Sequence, residues 1–542
     1  MRKFSGAGFT VVAAIVFVLA GYHGASAEVA VVAPEVVTGS RIYTDLDEVP
    51  APTYVITAED IAASGASDLG ALLESRIPGI YMKKKSGVAQ QSQIWIRGFT
   101  DQVLVLSNGI PLYRSSKGSD FGPVDLRSFA LEDIERVEVV KGGASAIYGS
   151  TAAGGVINII TKKPEKPGGK VVVEAGPSGW RRYYVSGNTG GDVLNAGIWY
   201  ERVEEGRKRL LYQTTPANRF DSLSYKSDAY GLTLSGDKWI LKAASGEYKY
   251  QFYSPYGFND EKKTYSRYSF RYDWDNWYLL TGYDTQCYDV FQYSSYYKDS
   301  AYTAEVGVRS ALGEALFAWG LYYRLEDTEF EGGSGITSKD RYNLAPFIEA
   351  SYPFGDWVAN LGLRYEIWRQ ESNDHDELIP KLSLQRQFAD GNMFYVSAGK
   401  VFAMPTFYQL YDLWSGNSGL KPEKGWSYDL GLKSMDPVEP WQIGIFYTML
   451  DDKIQWSGTY KNVSEFRSYG IEASKRWEIG ANWSLGLNGT WQKPEEKVTS
   501  SSPWVRSTAV PEWEIGGSLQ YSTGPWKAVL THNWSGNQGD RD

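Results

Sequence analysis

The chain has 542 residues, of which 15% are aromatic, with one cysteine, three histidines and a net charge of −9. A single cysteine excludes an internal disulfide framework and any paired-cysteine metal or redox motif. Three histidines leave few candidates for a metal site or a Ser-His-Asp machine, and the acidic balance gives no reason to expect nucleic-acid binding. A mean hydropathy of −0.37 alongside so many aromatics fits many strands with alternating faces rather than long apolar runs.

Residues 1–27 read as an export leader. Arg2 and Lys3 form a basic start, and Phe9 to Ala20 is an apolar stretch too short to span a bilayer. Ala25-Ser26-Ala27 is a small-residue cleavage site, so the mature chain is expected to begin near Glu28 with a net charge of −11. Residues 28–49 have no period and contain PEVVTGSRI, from Pro34 to Ile42, which reads as an extended segment.

Residues 50–169 read as a small α+β domain. Tyr54 to Thr57 looks like a strand, and Thr57-Ala58-Glu59-Asp60 resembles a capping box that opens a short helix. A second helix over Ser67 to Ser75 ends at the Pro78-Gly79 turn. Strands are expected at Gln93 to Ile96, Val103 to Leu106, Val137 to Val140 and Val156 to Thr161. Between the last two lies GGASAIYGSTAAGG. A phosphate loop needs GxxxxGK[ST], but five residues separate Gly143 from Gly149 and Ser150 stands in the lysine's place. GxGxxG is absent as well, so the glycines are read as a packing device rather than a nucleotide cradle.

From Lys170 to Asp542 the texture is different. Segments of about 8 to 12 residues alternate polar and apolar positions, as a barrel wall requires. Tight connections (GGD at 190–192, SGDK at 235–238, FGDW at 354–357, GANW at 480–483) alternate with long polar ones such as Val401 to Gly425. Trp239, Trp277, Trp357, Trp441, Trp483 and Trp526 each follow a tight turn, which places indoles at one membrane interface. A β-propeller would need a fixed repeat of about 40–50 residues. The spacings here, 38, 80, 84, 42 and 43, do not provide one.

In order and spacing, several segments resemble TonB-dependent outer-membrane receptors along essentially the whole mature chain. They are VPAPTYVITAEDIAASGASDLGALLESRIPGI (49–80), IWIRGF (94–99), VLVLSNGIPLY (103–113), IERVEVVKGGASAIYGSTAAGGVINIITKK (134–163), FAMPTFYQLYD with SGLKPEKGWSYDLGLK (402–433) and YKNVSEFRSYGIEASKRW (460–477). The resemblance implies a membrane β-barrel with an N-terminal α+β plug inside it, in a family pattern of 22 antiparallel strands. About 19 are present here, so the sequence is expected to stop short of barrel closure, with its first and last strands unpaired or in poor register. The glycine-rich stretch then belongs to the plug, where small residues allow close approach to the wall.

The resemblance also implies function. PEVVTGSRI is similar to the TonB box, with Val36, Val37, Thr38, Gly39 and Ser40 matching best. A periplasmic TonB-type energy transducer would grasp it by strand addition, although an ordinary linker is the alternative reading. No bond in the cargo need break, so no catalytic residue, cofactor or resident metal is expected. The cargo is expected to be a ferric siderophore or, alternatively, cobalamin. The histidines lie outside the family-like segments, which argues against haem. A passive porin or adhesin would need neither plug nor box.

By analogy the plug segments 82–93 and 113–123 face outward. Lys83, Lys84, Lys85, Arg114 and Lys117, with Gln90 and Gln91, would then form a patch for an anionic iron chelate, unless they are merely a solvated charge run. Tyr253, Tyr256, Phe258, Phe291, Tyr293, Tyr296, Tyr297, Phe407, Tyr408, Tyr411 and Trp414 could line a ligand vestibule, or simply pack loops. Arg97, Glu135 and Arg136 are expected to pair with barrel charges, because buried charges need partners.

Overall fold

In a computed structural model of the protein, the described residues are 40–42, 48–84, 92–112 and 124–536. Within the last range, 192, 207, 210–220, 255–256, 291–294, 333–334, 372–373, 413–414, 435, 437, 464, 498, 500, 508 and 525 are not described. The leader and Val36 to Gly39 lie outside the described residues.

The plug begins with β1 (Thr53–Thr57) and α1 (Ala58–Ser64). The expected capping box is complete: Thr57 Oγ1 accepts from the Asp60 amide and the Asp60 carboxylate accepts from the Thr57 amide, both at 3.2 Å. Helix α2 (Leu69–Arg76) starts on Asp68, whose carboxylate accepts from the Ala71 amide at 2.9 Å. The chain continues through β2 (Ile80–Lys84), β3 (Ser92–Ile96), β4 (Val103–Ser107), β5 (Ile110–Leu112), β6 (Ile134–Lys141), the short helix α3 (Ser145–Tyr148) and β7 (Gly155–Thr161).

Five of these strands form one sheet in the order β1-β6-β7-β4-β5, while β2 and β3 pair separately. β4 and β7 are parallel neighbours and the other pairs are antiparallel. The central strands are apolar on both faces. Val103, Val105, Ile157 and Ile159 pack on the helices. Leu104, Leu106 and Val156 pack on Ala144 and Ala152 of the glycine-rich stretch. A sheet buried on both sides reads as a continuous apolar run rather than an alternating one.

From Gly168 the chain forms one antiparallel sheet wrapped around the plug. Among the described residues it holds 19 long strands and two two-residue ones, Lys208–Arg209 and Val505–Arg506. Side chains alternate strictly. In the strand Glu423–Ser434, Trp426, Tyr428, Leu430 and Leu432 are exposed outward, whereas Ser427, Asp429 and Lys433 are buried against the plug. Outward apolar residues meet lipid, and inward polar residues need partners, which the plug and neighbouring wall strands supply. Each of the six post-turn tryptophans is the first residue of its strand.

The strand order closes, with Trp526–Gly536 beside Gly168–Ala175. Nineteen alternating strands make the first and last run in the same direction, so no antiparallel ladder can join them. Among the described residues no extended register links the two, and both are exposed along nearly their whole length.

Candidate functional site

The interface between plug and wall carries the charges that organise this molecule. Arg97 is placed by a tight turn: its own backbone is left-handed (φ 54°) and Gly98 follows at φ 83°. A non-glycine residue in that region is strained, and such strain persists only where the surroundings enforce it. Here the guanidinium is 2% exposed and reaches two wall carboxylates. It donates to Asp429 at 2.7 Å and to both oxygens of Glu472, at 3.2 and 3.1 Å, with its plane 4.1 Å from the centre of the Phe446 ring. Burial alone would weaken the cation, but Glu472 and Asp429 more than offset it and hold Arg97 charged. Lys141, from the end of β6, joins the same carboxylate at 3.1 Å. Burial pushes its ammonium down to about 8, against the pull of Glu472.

The opening glycines of GGASAIYGSTAAGG sit against this wall. A Cβ on Gly142 (φ 86°) would lie 2.2 Å from Asp429 Oδ2, and one on Gly149 (φ 84°) would lie 2.2 Å from Glu366 Oε1. Only a residue without a side chain lets the plug backbone approach carboxylates that are already held by arginines. Between the two glycines, α3 packs on the wall with Ala146 beside Ile379, Phe402 and Trp368.

The N-terminal segment is the second site. Ser40, the last residue of the expected TonB box, is buried and donates to Glu349 Oε2 at 3.1 Å. Arg41 follows it into the barrel. Its Nε and Nη2 donate to the two oxygens of Glu305 at 2.9 and 2.7 Å. Its backbone amide donates to Glu349 at 2.9 Å, and its Nη1 to the Ile147 carbonyl of α3 at 2.7 Å. Arg309 donates to the Arg41 carbonyl at 2.8 Å, and Phe347 lies under the guanidinium at 4.2 Å. Further along, Lys433 clamps the Val49 carbonyl and Thr53 hydroxyl at 2.8 and 2.9 Å. Glu305, Arg309 and Glu349 all lie toward the tight-turn ends of their strands. The segment is therefore pinned near one mouth of the barrel by charge-assisted contacts that a pull would have to break.

The sequence reading did not single out Arg41, Lys141, Glu305, Glu349, Asp429 or Glu472. A signal existed for the wall acids, which fall on the inward phase of strands whose outward phase is apolar. The wall charges that their spacing alone identifies could not be matched to plug cations without the fold.

The other expected pairs differ. Arg136 sits on Glu135 and Glu138 of the plug itself, each at 2.7 Å. Arg136 and Glu138 are two apart on one strand and share a face, so a local pair forms without the wall. Of the ligand candidates, Lys83 and Lys84 lie in β2 with side chains outside the described residues, as does the side chain of Tyr253. Lys85, Gln90, Gln91, Arg114, Lys117, Tyr256, Tyr293 and Trp414 lie wholly outside them. Tyr296 is half-buried with its hydroxyl 3.6 Å from Cys287 Sγ. Phe407 and Tyr408 belong to a short helix, Phe407–Tyr411. Phe407 is fully buried, with the Arg341 guanidinium 4.7 Å from its ring centre, and so offers a ligand no surface in this conformation. Tyr408 packs edge-on against Tyr460 at 6.1 Å. Tyr408 holds the short helix to the hairpin Ile454–Asn462, with Leu410, Leu420 and Ile454 packed in the same cluster.

Two family models match this combination of a plug and a barrel wall. The model for the TonB dependent receptor-like β-barrel matches residues 172–542, and that for the TonB-dependent receptor plug domain matches 45–156. The chain belongs to the TonB-dependent receptors. It is accordingly an outer-membrane protein of the Gram-negative envelope. Its relatives include the vitamin B12 transporter BtuB of Vibrio cholerae, 27% identical over 471 residues that span 82% of this chain and 75% of that protein. The vitamin B12 transporter BtuB of Photobacterium profundum is also 27% identical, covering 90% of this chain and 84% of its own. Among solved structures, the ferric enterobactin receptor PfeA of Pseudomonas aeruginosa superposes with a TM-score of 0.74 at 18% identity, covering 90% of this receptor and 86% of that chain. The ferric yersiniabactin uptake receptor FyuA of Yersinia pestis gives 0.70 at 18%, covering 92% and 87%. At such identities these structures establish the fold of this receptor.

Proposed function

We infer that this receptor imports a scarce metal chelate across the outer membrane, on energy that TonB delivers through the N-terminal segment. The observation that carries the reading is Arg41, which holds the residue next to the TonB box inside the barrel on Glu305 and Glu349. The cargo binds at the long-loop mouth. Only a cargo with higher affinity for the released state can shift the segment from pinned to free. TonB then adds a strand to the freed box and pulls, the plug rearranges, and the chelate passes with no bond broken in it.

Two cargo readings follow from different observations. A ferric siderophore suits the basic residues Lys83, Lys84, Lys85, Arg114 and Lys117 of the outward plug segments, which would attract an anionic chelate. Cobalamin is favoured by the 27% identity to transporters that carry vitamin B12. Growth of a deletion strain separates them. Supplied with one ferric siderophore at a time, or with cobalamin as the limiting nutrient, the strain should fail on one class and grow on the other, and the intact gene should restore growth. Undiminished growth of the deletion strain on every iron chelate and on cobalamin, with other importers of these nutrients removed, would refute the import reading.

A further inference from the structure

A second buried charge cluster lies on three adjacent wall strands, Ala315–Gly332, Gly335–Phe354 and Trp357–Gln370. Glu326 accepts from Arg324 Nε on one oxygen and from Arg341 Nε on the other, both at 2.7 Å. Glu366 accepts from Arg364 Nε at 2.5 Å on one oxygen, and from the Asn343 amide and the Trp368 indole on the other. Every carboxylate oxygen is thus engaged. The Nη1 groups of Arg324, Arg341 and Arg364 reach the backbone carbonyls of Pro111, Pro405 and Ile147.

Two donors are left over. Arg324 Nη2 and Arg364 Nη2 are buried with no hydrogen-bond partner among the described residues, on side chains 4% and 1% exposed. Both arginines line one cavity of about 30 Å³, which Tyr148, Ser150 and Thr151 of the plug border on the other side. Three guanidinium groups and two carboxylates line it, so the lining alone carries one more positive charge than negative, with Asp284 acting on Arg324 and Glu305 on Arg364 from outside it. A water can accept from the free N–H groups but cannot cancel a buried charge, and an uncompensated one is costly.

We propose that this cavity binds a small inorganic anion of the size of chloride, which accepts from Arg324 and Arg364 and ties the plug loop to the wall. The volume holds about two water-sized guests, which excludes a siderophore or any large organic anion. The second place suits a water that donates to Asn343 Oδ1, which is also without a partner among the described residues. This site is distinct from cargo recognition and is formed whether or not the import reading holds.

Crystals of the full chain grown with bromide in place of chloride test it by anomalous diffraction. A single anomalous peak is expected in the cavity, within hydrogen-bond reach of Arg324 and Arg364. The variant Ser150→Asp supplies a carboxylate from the plug side, and its longer side chain can still accept from the Met404 amide as Ser150 does at 2.9 Å. In that variant the bromide peak should vanish while the barrel stays folded. Featureless or water-like density without anomalous signal in the unaltered protein would overturn the proposal, and so would a peak of unchanged height in the variant. If the variant fails to assemble, the map of the unaltered protein decides alone.

Discussion

Replacing Arg97 with methionine should loosen the plug by about 3–5 kcal/mol, the usual result of removing one partner from a buried ion pair. The substitution keeps most of the side-chain volume but leaves Asp429 and Glu472 buried, with Lys141 as the remaining plug cation on Glu472. It also leaves the left-handed backbone at residue 97 without the contacts that enforce it. The measurement is the urea midpoint for protease cleavage of the plug in the detergent-solubilised receptor. Arg386→Met is the control. Its partner Asp356 is exposed at a wall turn, where a pair contributes about 0–1 kcal/mol. Equal midpoints for the two variants would show that the Arg97 cluster does not hold the plug.

The second large effect is expected at Arg41. In the proposed mechanism the pinned state limits how often the expected TonB box is available, and apparent affinity falls with the competent fraction. Arg41→Met removes the positive charge beside Glu305 and Glu349 and leaves the Ile147 carbonyl to Arg364 alone. A loss of about 3 kcal/mol from the pinned state corresponds to a rise of about 100-fold in the free fraction when that fraction is small. Binding of the purified periplasmic domain of TonB to receptor without cargo should strengthen toward that limit, and cargo should then add little. If TonB binds both proteins equally without cargo, Arg41 is not what restrains the box.

The architecture was legible because its signals repeat. Alternation over strand after strand, tight turns between long loops and a tryptophan after each of six turns give the barrel without any single decisive residue. The first plug helix was legible at its start, where Thr57 caps free amides, whereas the second begins at Leu69 on the Asp68 cap rather than at Ser67. What escaped the sequence was pairing across the interface. Arg97 was expected to meet wall acids, yet nothing in IWIRGF says that Asp429 and Glu472, more than 300 residues away, are those acids. Arg136 was also expected to meet barrel charges, and in the structure it has Glu138, two residues on along the same strand, at 2.7 Å. Arg41 fitted either a TonB box or a linker, because its partners, Glu305 and Glu349, converge only when the barrel forms. For the aromatic loop residues the sequence left two readings, ligand vestibule or loop packing, and Phe407 fills the base of a loop helix beside Arg341.

Gated import through the N-terminal segment is tested most directly by uptake in cells carrying Val37→Pro. Proline removes a backbone donor that strand addition needs, and position 37 lies ahead of Ser40 and Arg41, the residues that pin the segment. Cells expressing the variant should bind the radiolabelled chelate identified by the growth test at their surface as the unaltered cells do, while accumulation falls to the level of cells lacking the receptor. Accumulation at the unaltered rate would contradict the account, because cargo would then cross without TonB grasping this segment.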